Sequence, residues 1–250
     1  MAYIQESNLV PLGRSLIPGE RVIRIGNTLV PCSTIAEEKT PLPVKGLVFY
    51  HSFDGTDTAK TDVPGGTISV PYGTVTYTEE DDIPCAYFSS AGMLVPKISE
   101  INAATAFTLS VWFKGTNDTT NAPIWWACAG TSGDAGSGFV FSFDVTTSKF
   151  NVSSGGTYDF WTTDTYDMTQ WHFLCFVSDG TNFSFYVDGT SQNSGQLWNL
   201  RPDSRSGGFG KINQYNAALT CYLAAARTYR RALSDAELAA IASEFTPSAS

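Results

Sequence analysis

The sequence predicts an all-β sandwich or barrel with one short C-terminal helix and a small N-terminal hairpin extension. Three observations predict it. Apolar residues recur with period two in run after run, the pattern of half-buried strands. The composition is strand-like: only 16% of residues are charged, 13% are aromatic, and 22 glycines punctuate the chain. A single helical signature stands near the end. With 250 residues, 42% of them hydrophobic, the chain has enough apolar surface for a large core in one domain.

In chain order, Arg21-Val-Ile-Arg-Ile-Gly-Asn-Thr-Leu-Val30 reads as two short strands about a Gly26-Asn27 turn. Glu37-Glu-Lys-Thr-Pro-Leu-Pro43 follows as a linker, since each proline holds its predecessor extended. A boundary is therefore placed between residues 1–45 and 46–250. An isolated hairpin is marginal in water, so residues 1–45 are expected to serve anchoring or assembly, with Arg21, Val22, Ile23, Arg24 and Ile25 as the assembly strand. From Gly46 the strands repeat. Leu47 to Phe53 ends at Asp54-Gly55. Phe107, Leu109, Val111 and Phe113 share one face, as do Phe139, Phe141, Phe143 and Val145, then Phe173, Cys175 and Val177, then Phe183, Phe185 and Val187. Ser234-Asp-Ala-Glu237 is a capping box, and Leu238, Ile241 and Phe245 form the apolar stripe of the helix it starts.

Charge narrows the function. The formal net charge is −9. Residues 1–45 are nearly neutral, whereas the remainder carries ten Lys/Arg against twenty Asp/Glu. An acidic body repels phosphate backbones, so no nucleic-acid partner is expected. No apolar run is long enough to span a membrane, and the first residues lack the basic and apolar regions of a signal peptide. The five cysteines are odd in number and widely spaced, the pattern of buried reduced thiols and not of a zinc or disulfide framework.

Five stretches, in this order, resemble the concanavalin-A-like (laminin-G-like) family: Gly46-Leu-Val-Phe-Tyr-His-Ser-Phe-Asp-Gly55, Phe107-Thr-Leu-Ser-Val-Trp-Phe113, Trp171-His-Phe-Leu-Cys-Phe-Val177, Phe183-Ser-Phe-Tyr-Val-Asp-Gly189 and Arg227-Thr-Tyr-Arg-Arg-Ala-Leu-Ser-Asp-Ala-Glu-Leu238. The resemblance implies a two-sheet antiparallel jelly roll over roughly residues 46–245. It also implies an Asp-Glu pair just before the Arg-x-Tyr segment, the first acid supporting a calcium site. Here Ala224 and Ala225 stand at that place. The family's functions range from glycan binding and adhesion to appendages of glycoside hydrolases and parts of virion proteins, so the fold alone does not decide among them.

A hydrolase on this fold needs two carboxylates flanking the glycosidic bond. The Glu-x-Asp-x-x-Glu pattern is absent, and no glutamate occurs between Glu100 and Glu237. Asp144, Asp159, Asp164 and Asp167 remain as acids, but aspartate in such turns usually bonds its own backbone. His51 and His172 lie in strand patterns, where satisfied strand residues are expected instead of a metal pair. No catalysis is expected. Glycan contacts are expected from aromatic side chains: Trp125 and Trp126, as a buried strand or an exposed platform; Tyr158, Phe160 and Trp161 in a Gly/Thr/Asp-rich loop; and Trp198. No cofactor is expected; for calcium, Asp54 and Asp57, and the run Glu79-Glu-Asp-Asp82, offer oxygen ligands in loops. The leading expectation is a phage-type virion structural protein, a capsid decoration, head-fibre or tail-fibre component. It would be assembled in the host cytoplasm through self-association or other virion proteins, and would display its jelly roll to host-surface or mucus glycans. The alternatives are a carbohydrate-binding module of a secreted bacterial protein and, behind it, a divergent glycoside hydrolase.

Overall fold

A computed structural model describes residues 22–25, 28–31, 41–55, 69–95, 106–116, 122–127, 139–154, 158–196, 207–210 and 220–245. The chain divides into two compact units, Met1–Pro41 and Leu42–Ser250. The first contains β1 (Val22–Ile25) and β2 (Thr28–Pro31), paired antiparallel with Val22 opposite Pro31 and Ile25 opposite Thr28. Gly26-Asn27, Arg21 and the side chains of Val22 to Ile25 lie outside the described residues.

The second unit is the expected all-β body. Its strands are β3 (Leu47–His51), β4 (Ser69–Glu80), β5 (Ile83–Val95), β6 (Ala106–Gly115), β7 (Ala122–Ala127), β8 (Phe139–Asp144), β9 (Lys149–Ser154), β10 (Tyr158–Trp161), β11 (His172–Asp179), β12 (Asn182–Val187), β13 (Thr190–Gln196), β14 (Gly207–Gly210) and β15 (Cys221–Tyr229), followed by α1 (Asp235–Ala242). All pairings are antiparallel, in the order β10-β9-β8-β7-β14-β5-β15-β6-β11-β12-β13, with β3 beside β15 and β4 beside β5. The path folds over on itself. Phe139 of β8 packs on Phe107 of β6 and Phe176 of β11, Phe150 of β9 on Phe113, and Phe141 on Phe185 of β12, with ring centroids 4.9 to 6.1 Å apart. The period-2 phenylalanines thus interdigitate between two layers, as the jelly-roll reading expects. Edge-to-face and offset ring pairs of this kind add stability beyond their buried area.

The turn from one layer to the other is made by β5, which is 13 residues long. Its first half pairs with β15, Ala86 opposite Leu223, and its second half with β14, Gly92 opposite Gly210. Between them Ser90 adopts φ 50°, a left-handed kink. The neighbouring backbones approach this kink through glycines. A Cβ on Gly73 of β4 would stand 2.8 Å from the Ser90 carbonyl, and one on Gly210 would collide with the Ala91 carbonyl. Both glycines also hold positive φ. A Gly210→Ala variant is expected to lose about 3 kcal/mol, combining left-handed strain with overpacking; urea denaturation measures it.

The opposite face of β15 carries α1. Leu238 and Ile241 are buried in a second cluster with Trp112, Phe173 and Tyr229, and Phe245 packs edge-on against Trp112. Two arginines flanking Tyr229 fix the helix. Arg227, buried and 4.6 Å over the Tyr50 ring, donates to both oxygens of Glu244 at 2.8 and 2.7 Å. Arg231 donates to both oxygens of Glu237 at 2.8 and 2.5 Å and to the Lys45 carbonyl at 2.7 Å. Glu237 Oε2 also accepts from Ser234 N–H and Oγ–H, both at 2.9 Å. Bidentate pairing of this kind is stronger than a single charged contact. The Arg231 guanidinium first, and then the Ser234 amide, lower the Glu237 carboxyl from 4.5 to about 2. A depressed carboxylate stabilises the fold above its unfolded value and loses that contribution as pH falls through its folded one. Stability is therefore expected to decline between pH 4.5 and about 2, and a Glu237→Gln variant to flatten that part of a thermal-melt profile against pH.

Candidate functional site

The exposed aromatic surface is at the seam where the two edges of the rolled sheet meet. Phe160 of β10 turns inward and lies 4.0 Å from Phe183 and 6.0 Å from Phe176, centroid to centroid. Period two therefore sends Trp161 outward. It is 39% exposed, a large value for tryptophan. Its carbonyl accepts from Asn193 Nδ2 of β13 at 2.9 Å, a bond across the seam. In register beside it stands Asn151 of β9, and beside that Ser142 of β8. Ser142 Oγ donates to Asn151 Oδ1 at 3.2 Å, while the buried Asn151 Nδ2 has no hydrogen-bond partner among the described residues. An unmet buried donor costs about 1–3 kcal/mol.

The loop after Trp161 is held at several points. Thr162 N–H donates to the Phe150 carbonyl at 2.9 Å. The buried Gln192 amide clamps the next two residues: its Oε1 accepts from Thr163 Oγ1 and Asp164 N–H at 3.0 and 3.1 Å, and its Nε2 donates to Asp164 Oδ2 at 3.0 Å. Farther on, Tyr166 N–H donates to the Ser148 carbonyl at 2.8 Å and Gly115 N–H to the Met168 carbonyl at 2.6 Å. The His172 ring lies between Asp188 Oδ2, 2.8 Å from Nδ1, and the Asp167 carbonyl, 2.9 Å from Nε2. Trp161 thus projects from a fixed corner. Between this loop and the β8–β9 turn lies an open cavity of about 600 Å³, lined by Phe143, Val145, Ser148 and residues 165–169.

The predicted site residues separate sharply. Trp161 is where a ligand could reach it. Trp125 is not a platform: it is 2% exposed, stacked between Phe141 and Phe209. Phe160 likewise serves the core. The side chains of Trp126 and Tyr158, and all of Trp198, lie outside the described residues. Asn193, Gln192 and Tyr166 were missed in the sequence, where no local pattern marks them, and Asp167 was weighed there only as an acid of the polar loop Thr162-Thr-Asp-Thr-Tyr-Asp167.

For the metal candidates, Asp54 is exposed and Asp57 lies outside the described residues. Among the described residues no three His, Cys, Asp or Glu side chains come together as a metal site. Glu79 to Asp82 form the β4–β5 turn, with Asp81 and Asp82 at φ 51° and 64°, and Lys114 Nζ donates to Glu80 and Asp81, each at 2.6 Å. At the place where the family carries its acid pair, Ala224 and Ala225 are wholly buried, and their methyl groups do not fit a calcium ligand set. The aspartates otherwise brace backbone. Asp179 accepts from Thr181 and Asn182, Asp144 from Thr146 and Thr147, and Asp188 from Phe173. His51, fully buried, accepts from Phe53 N–H at 3.0 Å.

Over residues 89–239 the sequence matches the Laminin_G_3 family of the concanavalin A-like lectin/glucanases superfamily. The chain belongs to this superfamily. No curated protein sequence matches it. Among solved structures it is similar to domain 4 of AbnA, a GH43 extracellular arabinanase from Geobacillus stearothermophilus, in complex with arabinotriose. That likeness has a TM-score of 0.63 at 18% identity and covers 78% of this chain and 98% of that one. The binding domain of Paraclostridial Mosquitocidal Protein 1 gives 0.60 at 15% identity, over 79% of this chain and 52% of that one. Trypanosoma rangeli sialidase in complex with sialic acid gives 0.61 at 16% identity, over 81% and 33%. The lectin-like chain therefore spans about half of the second protein and a third of the third. At these identities the likenesses establish the fold.

Proposed function

We propose that this chain is a non-catalytic glycan-binding domain in which Trp161 is the stacking platform. The observation that carries the reading is a tryptophan exposed at the sheet seam on a corner fixed by Asn193 and Gln192. A sugar ring presents an apolar face to an indole and hydroxyls at its edge. A rigid aromatic receives the face with little loss of side-chain freedom. The arabinotriose complex of the AbnA domain lends support, because that neighbour is nearly the same size as the body of this chain. The reading is non-catalytic because Asp144 and Asp179 are engaged by their own turns, Asp164 by Gln192 and Asp188 by Phe173 and His172, and because no glutamate lies on strands β6 to β15. Trp161→Ala is expected to weaken binding to glycans found on a printed array by about 2 kcal/mol, roughly 30-fold, with the melting temperature unchanged. Unaltered binding would remove Trp161 from the site.

We further propose that the domain is displayed from a virion, with residues 1–45 as the anchoring or assembly element. Support comes from the sequence boundary near residue 45 and from the separate compactness of Met1–Pro41. Light scattering is expected to find the full chain oligomeric and a chain starting at Gly46 monomeric. Two monomers would count against self-assembly through this segment.

A further inference from the structure

The cavity beside the seam has a floor and a rim of different chemistry. Phe143 and Met168 are buried beneath it, and the Tyr166 ring is tilted against Phe150 at 5.3 Å and edge-on to His172 at 5.1 Å. Ser148, Thr165, Asp167 and Thr169 supply the polar rim. Two groups at this rim keep hydrogen-bonding capacity. Asp167 Oδ1 accepts from both Thr169 N–H and Thr169 Oγ–H, at 2.9 and 2.7 Å, which leaves Oδ2 free among the described residues. The Tyr166 phenol makes no hydrogen bond to a described residue.

The charge around the cavity has one dominant sign. Asp144 lies at the β8–β9 turn, Asp164 and Asp167 on the loop and Asp188 behind His172, with Lys149 opposite Asp144 as the cation of that turn. The Thr169 hydroxyl, and then its amide, hold the Asp167 carboxyl below the usual carboxylate range, so it stays ionised. Burial first, and then the fields of Asp164 and Asp188, push the Tyr166 phenol upward, so it stays a donor.

Resting on the glycan reading above, we propose that this cavity is a second sugar subsite, reached by the same chain that stacks on Trp161, and that it selects a neutral, hydroxyl-rich ring over an anionic one. Its volume falls within the range of small-ligand sites, about 300–1,000 Å³. The apolar floor receives one face of the ring. Asp167 Oδ2 accepts from a ring hydroxyl and the Tyr166 phenol donates to another. A carboxylate or sulfate on the sugar would meet like charge in a partly desolvated site. The loop 162–170 joins the two subsites, so their spacing is set by the Gln192 clamp.

The test uses the full chain with four probes: arabinotriose, cellotriose, triacetylchitotriose and 3′-sialyllactose. Chemical shifts and calorimetry are read on wild type, Trp161→Ala, Asp167→Asn and Tyr166→Phe. Asp167→Asn keeps the acceptor for Thr169 while it replaces the charged Oδ2 acceptor with an amide NH2, and Tyr166→Phe removes only the phenol, so both retain the fold. The expected result is binding of at least one neutral trisaccharide, with amide shifts over residues 165–169, an affinity about tenfold lower in each of the two conservative variants, and none for sialyllactose. Binding lost in Trp161→Ala but unchanged in both conservative variants would overturn the subsite and leave the platform standing. Equal binding of sialyllactose would overturn the charge selection. No binding of any neutral probe to the wild type would overturn the subsite and the glycan reading together.

Discussion

A single continuous sheet must fold back far enough for its own edges to meet, and the rest of the molecule depends on how β5 makes that turn. Ser90 takes a left-handed backbone, and the strands on either side come close only because Gly73 and Gly210 have no side chain there. With the corner made, the phenylalanines of β8 and β9 lie over those of β6, β11 and β12, and aromatic contacts fill the space between. The geometry of the far edges follows. Strand β10 arrives beside β12 and β13, Phe160 enters the core, and Trp161 is left outside with its carbonyl tied to Asn193. The position of the candidate site is thus a consequence of sheet closure more than of any local preference of the loop.

The second fixed feature is strand β15. It pairs with β5 over its first half and with β3 over its second, and the changeover is an irregularity at Ala224 to Arg227, with Ala225 at φ 44°. Small residues fit here because the chain is wholly buried at the changeover. Where a relative with acids could gather a cation, this chain packs methyl groups beneath α1 and fixes the helix with Arg227 and Arg231. The same stretch of sequence has been committed to stability, which moves the search for function to the opposite side of the sandwich.

Much of the fold was legible because period two is a direct image of burial. The runs of β6, β8 and β12 line the core between the layers, whereas Phe173, Cys175 and Val177 of β11 face the helix cluster, because β11 is buried on both sides and gives Leu174 and Phe176 to the inner core; the capping box at Ser234 starts the helix it announces. The site was legible only in part. Trp125 and Trp161 look alike in sequence, each beside another aromatic near glycines or prolines. Their fates differ because Trp125 faces a layer partner and Trp161 an edge, and layer pairing is a property of chain segments far apart. Gln192 and Asn193 carry no signal at all in the sequence. Their role arises because β13 closes against β10, a contact about 30 residues removed along the chain.

Rigidity and charge act on different parts of binding, and this domain separates them in space. Trp161 supplies apolar area on a surface whose loop is already ordered by Gln192 and Asn193, so little conformational freedom is lost when a ring stacks on it. Such a contact discriminates weakly, since most sugars have an apolar face. The neighbouring cavity offers a defined sign of charge and, among the described residues, two unspent hydrogen-bonding groups, Asp167 Oδ2 and the Tyr166 phenol. Discrimination by an unmatched charge costs a wrong ligand more than a missing methyl group would. On the proposed reading, the seam would set affinity and the cavity choice. On the glycan reading, the one tryptophan exposed among the described residues and the acidic cavity beside it would divide affinity and choice between them.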